Sequence, residues 1–106
     1  MEKELFERMY NDAVQINERE NISVITDIKR GLGINGVDYR VFREKFRSRS
    51  TDSTKECSFC LKDDYLEVTM RETYDSNNTK TYVTKTLVPY CSIVGIEVEC
   101  TPIFNG

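Results

Sequence analysis

Apolar and polar residues alternate along the second half of this chain. The apolar positions recur at every second residue in three runs, Cys57 to Leu61, Leu66 to Met70 and Val94 to Cys100. Charged and hydroxyl residues fill the positions between them, and a period of two with polar alternates is typical of strands buried on one face. Turn-forming residues, Pro89 among them, separate the runs. The pattern predicts an antiparallel meander of about four strands over residues 55–100.

A period of three to four residues marks the N-terminal segment, residues 2–18. Its apolar face comprises Leu5, Phe6, Met9, Tyr10, Ala13 and Ile16. Acidic residues near the start, Glu2, Glu4 and Glu7, suit the positive end of a helix dipole. The pattern predicts an amphipathic helix that covers one face of the sheet, with a dimer contact as the alternative use of the apolar face.

The segment between these regions, residues 21–49, fits two interpretations. In the helical one, Asn21 caps a first helix and Asp38 caps a second that ends near Ser48. The part from Ile25 to Glu44 then resembles a helix-turn-helix. Its apolar residues stand where that family places them, at Ile28, Leu32, Ile34, Tyr39 and Phe42, with Gly33 as the turn glycine. The pattern departs from the family at Lys29 and Gly36.

In the other interpretation the same segment is a β-hairpin. Residues 22–28 are dense in β-branched side chains, which favour strands. The glycine-rich stretch 31–36 would be the loop, and residues 37–49 would form a strand with Arg43, Lys45, Arg47 and Arg49 on one face. We combine the two interpretations and predict a strand at 22–28 and a second short helix at 38–48. The predicted fold is α+β, with the N-terminal helix packed on an antiparallel sheet of about four to six strands.

The closing run from Thr86 to Val98 contains a strand, a turn led by Pro89 and a second strand. This run is similar to the closing strands of small bacterial pleckstrin-like domains and of Sm-like barrels. For Sm-like proteins the resemblance implies RNA or nucleotide binding in a ring, so a homo-oligomer is one expectation. The Sm sequence motifs themselves are absent, and the resemblance therefore transfers no binding residues.

Charge is spread unevenly along the chain. The 106 residues, one domain by length, carry a formal net charge of −3, which argues against general nucleic-acid binding. Residues 40–49, however, carry five basic side chains and one acid, Glu44. No run of about 18 apolar residues is present, and the N-terminus lacks an apolar signal core. We therefore expect a cytoplasmic protein with no membrane partner.

The chain has four cysteines and no histidine. Cys57 and Cys60 form a C-x-x-C motif, but residues three apart on a strand point to opposite faces. Cys91 and Cys100 are also an odd number of residues apart, so on a strand they too would point to opposite faces. A four-thiolate zinc site is the alternative, and we predict buried or idle thiols, with no metal and no cofactor.

The usual catalytic motifs are missing. No histidine is available as a general base, and no nucleophile elbow or phosphate-binding loop with Lys-Ser/Thr occurs. Residues 31–36 spell G-x-G-x-x-G, but the β-α-β context of a dinucleotide site is lacking. We predict that the protein is not an enzyme.

The basic cluster supplies the functional hypothesis. The candidate ligand-binding residues are Tyr39, Arg40, Arg43, Lys45, Arg47 and Arg49. Arginine matches phosphates with paired donors, and aromatic residues among the bases offer stacking surfaces. We predict a binding module for an anionic ligand, either nucleic acid or a nucleotide-like signal.

The alternative is a protein-binding adaptor or inhibitor, similar in general character to phage-encoded anti-defence proteins. In that case the partner would meet the helix or the acidic positions, Glu67, Asp75, Glu97 and Glu99.

Overall fold

A computed structural model of the chain describes residues 1–17, 21–33, 36–49, 53–74 and 80–100. The elements, in chain order, are α1 (Lys3–Asn17), β1 (Ile22–Gly33), β2 (Gly36–Arg49), β3 (Ser53–Leu61), β4 (Tyr65–Tyr74), β5 (Lys80–Pro89), a 3-10 turn (Tyr90–Ser92) and β6 (Ile93–Val98). The predicted α+β class is confirmed, because α1 packs on a six-stranded antiparallel sheet. Within the described part of the chain, no helix is both long and apolar enough to cross a membrane.

The sheet has the strand order β5-β4-β3-β2-β1-β6, and every neighbouring pair is antiparallel. Strands β1 to β5 form a meander, but β6 pairs with β1 at the opposite end of the sheet. The prediction that the meander continues to residue 100 is therefore wrong for its last strand. Tyr90 and Ile93 are buried after Pro89, so the chain crosses the core before β6 pairs with β1.

The predicted helix at 38–48 is wrong, and the helix-turn-helix interpretation fails with it. This segment lies in β2, whose ladder with β1 pairs Phe42 with Val24 and Glu44 with Ile22. The helical and the hairpin interpretations used the same side chains, because this basic and aromatic segment fits the period of a helix as well as that of a strand. Pairing with the β-branched strand β1 outweighs local helix propensity here. The predicted strand at 22–28 is confirmed as part of β1.

Gly36 opens β2 with a backbone φ of +126°, a conformation that residues with a side chain rarely adopt. Gly36 is also the residue of β2 that pairs with Gly33, the last residue of β1.

The core lies between α1 and the sheet. Phe6, Tyr10 and Ala13 are the buried residues of the helix, which places the predicted apolar face against the strands. Leu5 and Ile16, at the edges of that face, are exposed. The fully buried sheet residues are Ile22, Val24, Thr26, Leu66, Val68, Val88 and Ile93. Removal of this apolar surface from water supplies the main favourable term in folding.

A carboxylate also lies in this core. Glu44 is only 3% exposed. The Tyr10 hydroxyl donates to its Oε1 at 2.5 Å, and the Phe59 backbone N–H donates to its Oε2 at 2.9 Å. Burial of a charged group is costly unless hydrogen bonds replace its hydration. The two donors meet that requirement and tie α1, β2 and β3 together.

Substitution of Tyr10 by phenylalanine should destabilise the fold by about 2 kcal/mol, because one oxygen of a buried carboxylate loses its donor. Chemical denaturation of both proteins measures the difference. Tyr82→Phe is the matched control, since the Tyr82 side chain is exposed, and it should change the free energy of unfolding by less than about 0.5 kcal/mol. Equal effects of the two substitutions would contradict a specific role for the Tyr10 hydroxyl.

Candidate anion-binding cleft

Strands β2 and β3 separate along part of their length. In the described structure their ladder consists of Lys45–Cys57, Ser48–Lys55 and Arg49–Thr54, with a register shift between Lys45 and Ser48. N-terminal to Lys45, β2 pairs with β1 alone. In place of a ladder bond from β2, the Glu44 side chain accepts the N–H of Phe59. The two strands therefore diverge at this point of the sheet.

A cleft of about 260 Å³ opens at this divergence. Its lining residues are Val41, Phe42, Arg43, Lys45, Lys55, Glu56, Cys57 and Met70. Four of these side chains are apolar, three are cationic and one is acidic. The volume is slightly below the usual range for small-molecule sites, about 300–1,000 Å³. The cleft can therefore accept one part of a ligand, while the remainder stays on the surface.

Arg43 is held in place by neighbouring strands. Its Nη2 donates to Asn21 Oδ1 at 2.9 Å and forms an ion pair with Glu99. Its Nε is buried and has no hydrogen-bond partner among the described residues. The side chain as a whole is 39% exposed, and it lines the β2–β3 cleft. Its guanidinium group extends towards Asn21 and Glu99, beside a second depression at the β1 and β6 side of β2.

The two lysines of the cleft differ in their surroundings. Lys55 Nζ lies 3.6 Å from Glu72 Oε1, in a pair that is largely exposed on the lysine side. Lys45 is half-buried and has no ion-pair partner within the described part of the chain. Exposed ion pairs contribute little to stability, typically 0–1 kcal/mol. The Lys55–Glu72 pair can therefore open towards an anion at low cost, and Lys45 has no described ion pair to break.

Strand geometry separates the predicted binding residues. Tyr39, Arg43 and Lys45 alternate along one face of β2, and the last two line the cleft. Tyr39 is exposed on that face but is not part of the lining. Arg40 belongs to the opposite face, where its guanidinium carbon lies 4.8 Å from the centre of the Phe42 ring. The structure therefore brings together Arg43 and Lys45, and it leaves Arg40 on the other side of the strand.

Arg47 and Arg49 continue β2, but their side chains lie outside the described residues. Lys55 and Met70 were not among the predicted site residues. The alternation of β3 and β4 placed Cys57 and Met70 each on an apolar face, and the structure pairs them with each other. The pairing of β3 with β2 at Lys45 could not be predicted from the sequence pattern. This pairing brings Lys55 and Met70 into the cleft.

No family model, no curated protein and no solved structure matches this chain. The functional argument therefore depends on the geometry and chemistry of the cleft. Cationic groups around an apolar lining suit a ligand that combines a negative charge with an apolar or planar part. Among the described residues, no group of three or more His, Cys, Asp or Glu side chains is arranged to hold a metal ion.

The acidic positions predicted for a protein partner are dispersed. Glu67 accepts a hydrogen bond from Lys85 at 2.9 Å, which lowers the pKa of its carboxyl group. Glu99 is paired with Arg43, and Glu97 is exposed on β6. Asp75 lies outside the described residues. These side chains do not form one continuous acidic surface among the residues described.

Burial raises the pKa of the Cys57 thiol from 9.0 to about 11, and the negative charge of Glu44 adds to the shift. The folded state thus favours the neutral thiol. This contribution to stability is fully present below pH 9.0 and is lost as the pH rises towards 11. A C-x-x-C redox centre needs the opposite shift, because the thiolate is the reactive form.

Alkylation by iodoacetamide should therefore discriminate among the cysteines of the native protein at pH 8. A shift of two pKa units lowers the thiolate fraction of Cys57 by roughly a hundredfold, whereas Cys60, Cys91 and Cys100 are exposed. Mass spectrometry of peptides over a time course should show Cys57 as the slowest site. In denaturant, which removes the burial, all four should react at similar rates. Rapid labelling of native Cys57 would contradict the assignment.

Proposed function

We propose that this protein is a non-enzymatic binding module that takes a phosphate-bearing base, as a nucleotide or within a single-stranded nucleic acid, at the β2–β3 cleft. One observation carries the proposal: Arg43 and Lys45 reach the same cleft as the apolar side chains of Val41 and Met70. Arginine and lysine suit phosphate oxygens, and apolar surface suits the face of a base.

The charge distribution favours a short or flexible ligand. The whole chain is acidic, with a net charge of −3, so a long duplex would meet repulsion beyond the cleft. Electrostatic interactions between exposed groups are screened over about 8–10 Å in physiological salt. A nucleotide, or a few residues of a single strand, therefore experiences mainly the local cations.

The size of the cleft points in the same direction. A volume of about 260 Å³ accommodates one ring system, and only an unpaired base can be inserted into such a site. In a duplex the base faces are stacked, so protein side chains cannot reach them without unstacking. Single strands and free nucleotides present their bases without that cost. Tyr39, exposed on the same face of β2, offers a further stacking surface beside the cleft.

Glu99 competes with the ligand for Arg43. Their ion pair is exposed, with 65% of the Glu99 side chain accessible to solvent. A phosphate group also accepts paired donors from arginine, and an exposed ion pair contributes little stability, so a phosphate can replace Glu99 at little cost. The ion pair therefore keeps the guanidinium oriented when no ligand is bound.

The protein-binding alternative has weaker support, because the predicted acidic contacts are partly paired and do not form one patch. We also propose a cytoplasmic location. The four cysteines are free thiols, and a reducing compartment maintains thiols in that state.

Charge reversal at Lys45 should lower the affinity for a short fluorescent oligothymidylate by about tenfold and reduce the salt slope of log K by about one. Fluorescence anisotropy at several salt concentrations gives both quantities. Lys45→Glu is suitable because Lys45 has no ion-pair partner among the described residues, so the fold should be maintained. Arg8→Glu, an equal charge change on the exposed side of α1, is the control. The same loss in both variants would contradict a local site.

Removal of the Glu99 carboxylate, which competes for Arg43, should raise the affinity for the oligonucleotide. Glu99→Gln frees Arg43 and deletes one negative charge, so the affinity for the same oligonucleotide should rise about threefold to tenfold at low salt. Glu97→Gln deletes an equal charge two residues away, on β6, but leaves the Arg43 ion pair intact. A smaller gain with Glu97→Gln would assign the effect to Arg43. Equal gains would indicate general electrostatics rather than release of the guanidinium group.

A further inference from the structure

Strand β5 forms one edge of the sheet. It pairs with β4 along its full length, from Tyr74–Lys80 to Tyr65–Pro89. Among the residues that the structure describes, none pairs with its other edge. The strand is ten residues long and largely exposed. An edge of this length presents a row of unpaired backbone groups, which favours pairing with another strand.

The residues that usually protect such an edge stand at its ends or are turned away from it. Lys80 stands at the beginning of β5 and Pro89 at its end. Lys85 is directed back over the sheet, where its Nζ donates to Glu67 Oε1 on β4 at 2.9 Å. The intervening residues 81–87 are otherwise threonine, tyrosine, valine and leucine, which favour strands. The middle of the edge is therefore suited to a further strand.

We propose that two copies of this chain associate through β5, as an antiparallel pair about a two-fold axis at Thr84. Residues that face each other across an antiparallel pair lie on the same side of the sheet. Two registers preserve this relation over nearly the whole strand, one centred on Thr84 and one on Lys85. The second places Lys85 opposite itself and uses Pro89, which has no N–H to donate. The register centred on Thr84 avoids both the Lys85 self-contact and the use of Pro89.

In the Thr84 register the facing residues are compatible. Val83 lies opposite Lys85 of the second copy, Tyr82 opposite Thr86, and Thr81 opposite Leu87. No like charges face each other, and Thr84 faces its own copy, a favourable threonine pair. Tyr82, Val83 and Leu87, which are 56%, 53% and 55% exposed in the single chain, become partly covered. The ladder then spans Lys80–Val88 on both strands.

A head-to-tail contact of β5 with β6 is the competing arrangement. Strand β6 has six residues, so it can pair with only part of β5. The opposite charges of Lys85 and Glu97 favour this contact. A head-to-tail assembly, however, has one unpaired β5 edge and one unpaired β6 edge at its ends until it closes into a ring. The two-fold pairing uses the full strand and closes with two copies.

The two-fold axis gives a decisive test, because residue 84 meets only itself. Thr84→Lys and Thr84→Glu should each weaken dimerisation by roughly tenfold or more, since like charges then face each other. An equimolar mixture of the two variants should dimerise again, with one copy of each. Sedimentation velocity over a concentration series measures association, and native mass spectrometry reports the composition of the dimer. Thr84→Val, which retains strand propensity, should dimerise like the original chain.

Circular dichroism melting checks that the two charged variants are folded, which the exposed position of Thr84 favours. A dimer of mixed composition would support the proposed pairing. The proposal is overturned if the original chain is monomeric at the highest concentration, if the charged variants dimerise as it does, or if their mixture stays monomeric. Binding of the oligonucleotide is measured separately, so failure here leaves the cleft proposal unaffected.

Discussion

The buried carboxylate of Glu44 is the constraint on which the rest of the structure depends. A charged group inside the core requires donors, and Tyr10 and Phe59 supply them from α1 and β3. The Phe59 N–H thus has a side-chain acceptor in place of a backbone acceptor at the point where β2 diverges from β3. The helix position and the opening in the sheet are therefore linked through one side chain.

Strand parity then determines the chemistry of the surface. Because Glu44 points inward, its neighbours Arg43 and Lys45 point away from the core and reach the cleft. The same parity sends Arg40 to the side of Phe42. The inward negative charge and the outward positive charges lie within three consecutive residues. The cleft therefore has cationic sides although the protein is acidic as a whole.

The sequence predicted the secondary structure correctly where one hydrophobic period dominated a segment. The alternation in β3 and β4 and the helical period of α1 were both sufficient to identify those elements. In β2 the residues Tyr39, Phe42 and Phe46 fit one face of a helix, while Arg43, Lys45, Arg47 and Arg49 fit one face of a strand. Local pattern could not choose between them, because the deciding factor is β1, which supplies a partner from outside the segment. For the site, Arg43 and Lys45 were recognisable as bases, but Lys55 and Met70 depend on strand order.

The pairing of β6 with β1 joins positions that are far apart in sequence. Ile22 faces Val98, a separation of 98 − 22 = 76 residues, whereas β3, β4 and β5 pair through short connections. Contacts of such long range are slow to form, because a large loop must be closed before they become favourable. During synthesis on the ribosome, the local hairpins can form first, while β1 keeps one edge unpaired until residue 98 has emerged. Completion of the sheet therefore has to wait until β6 has been synthesised.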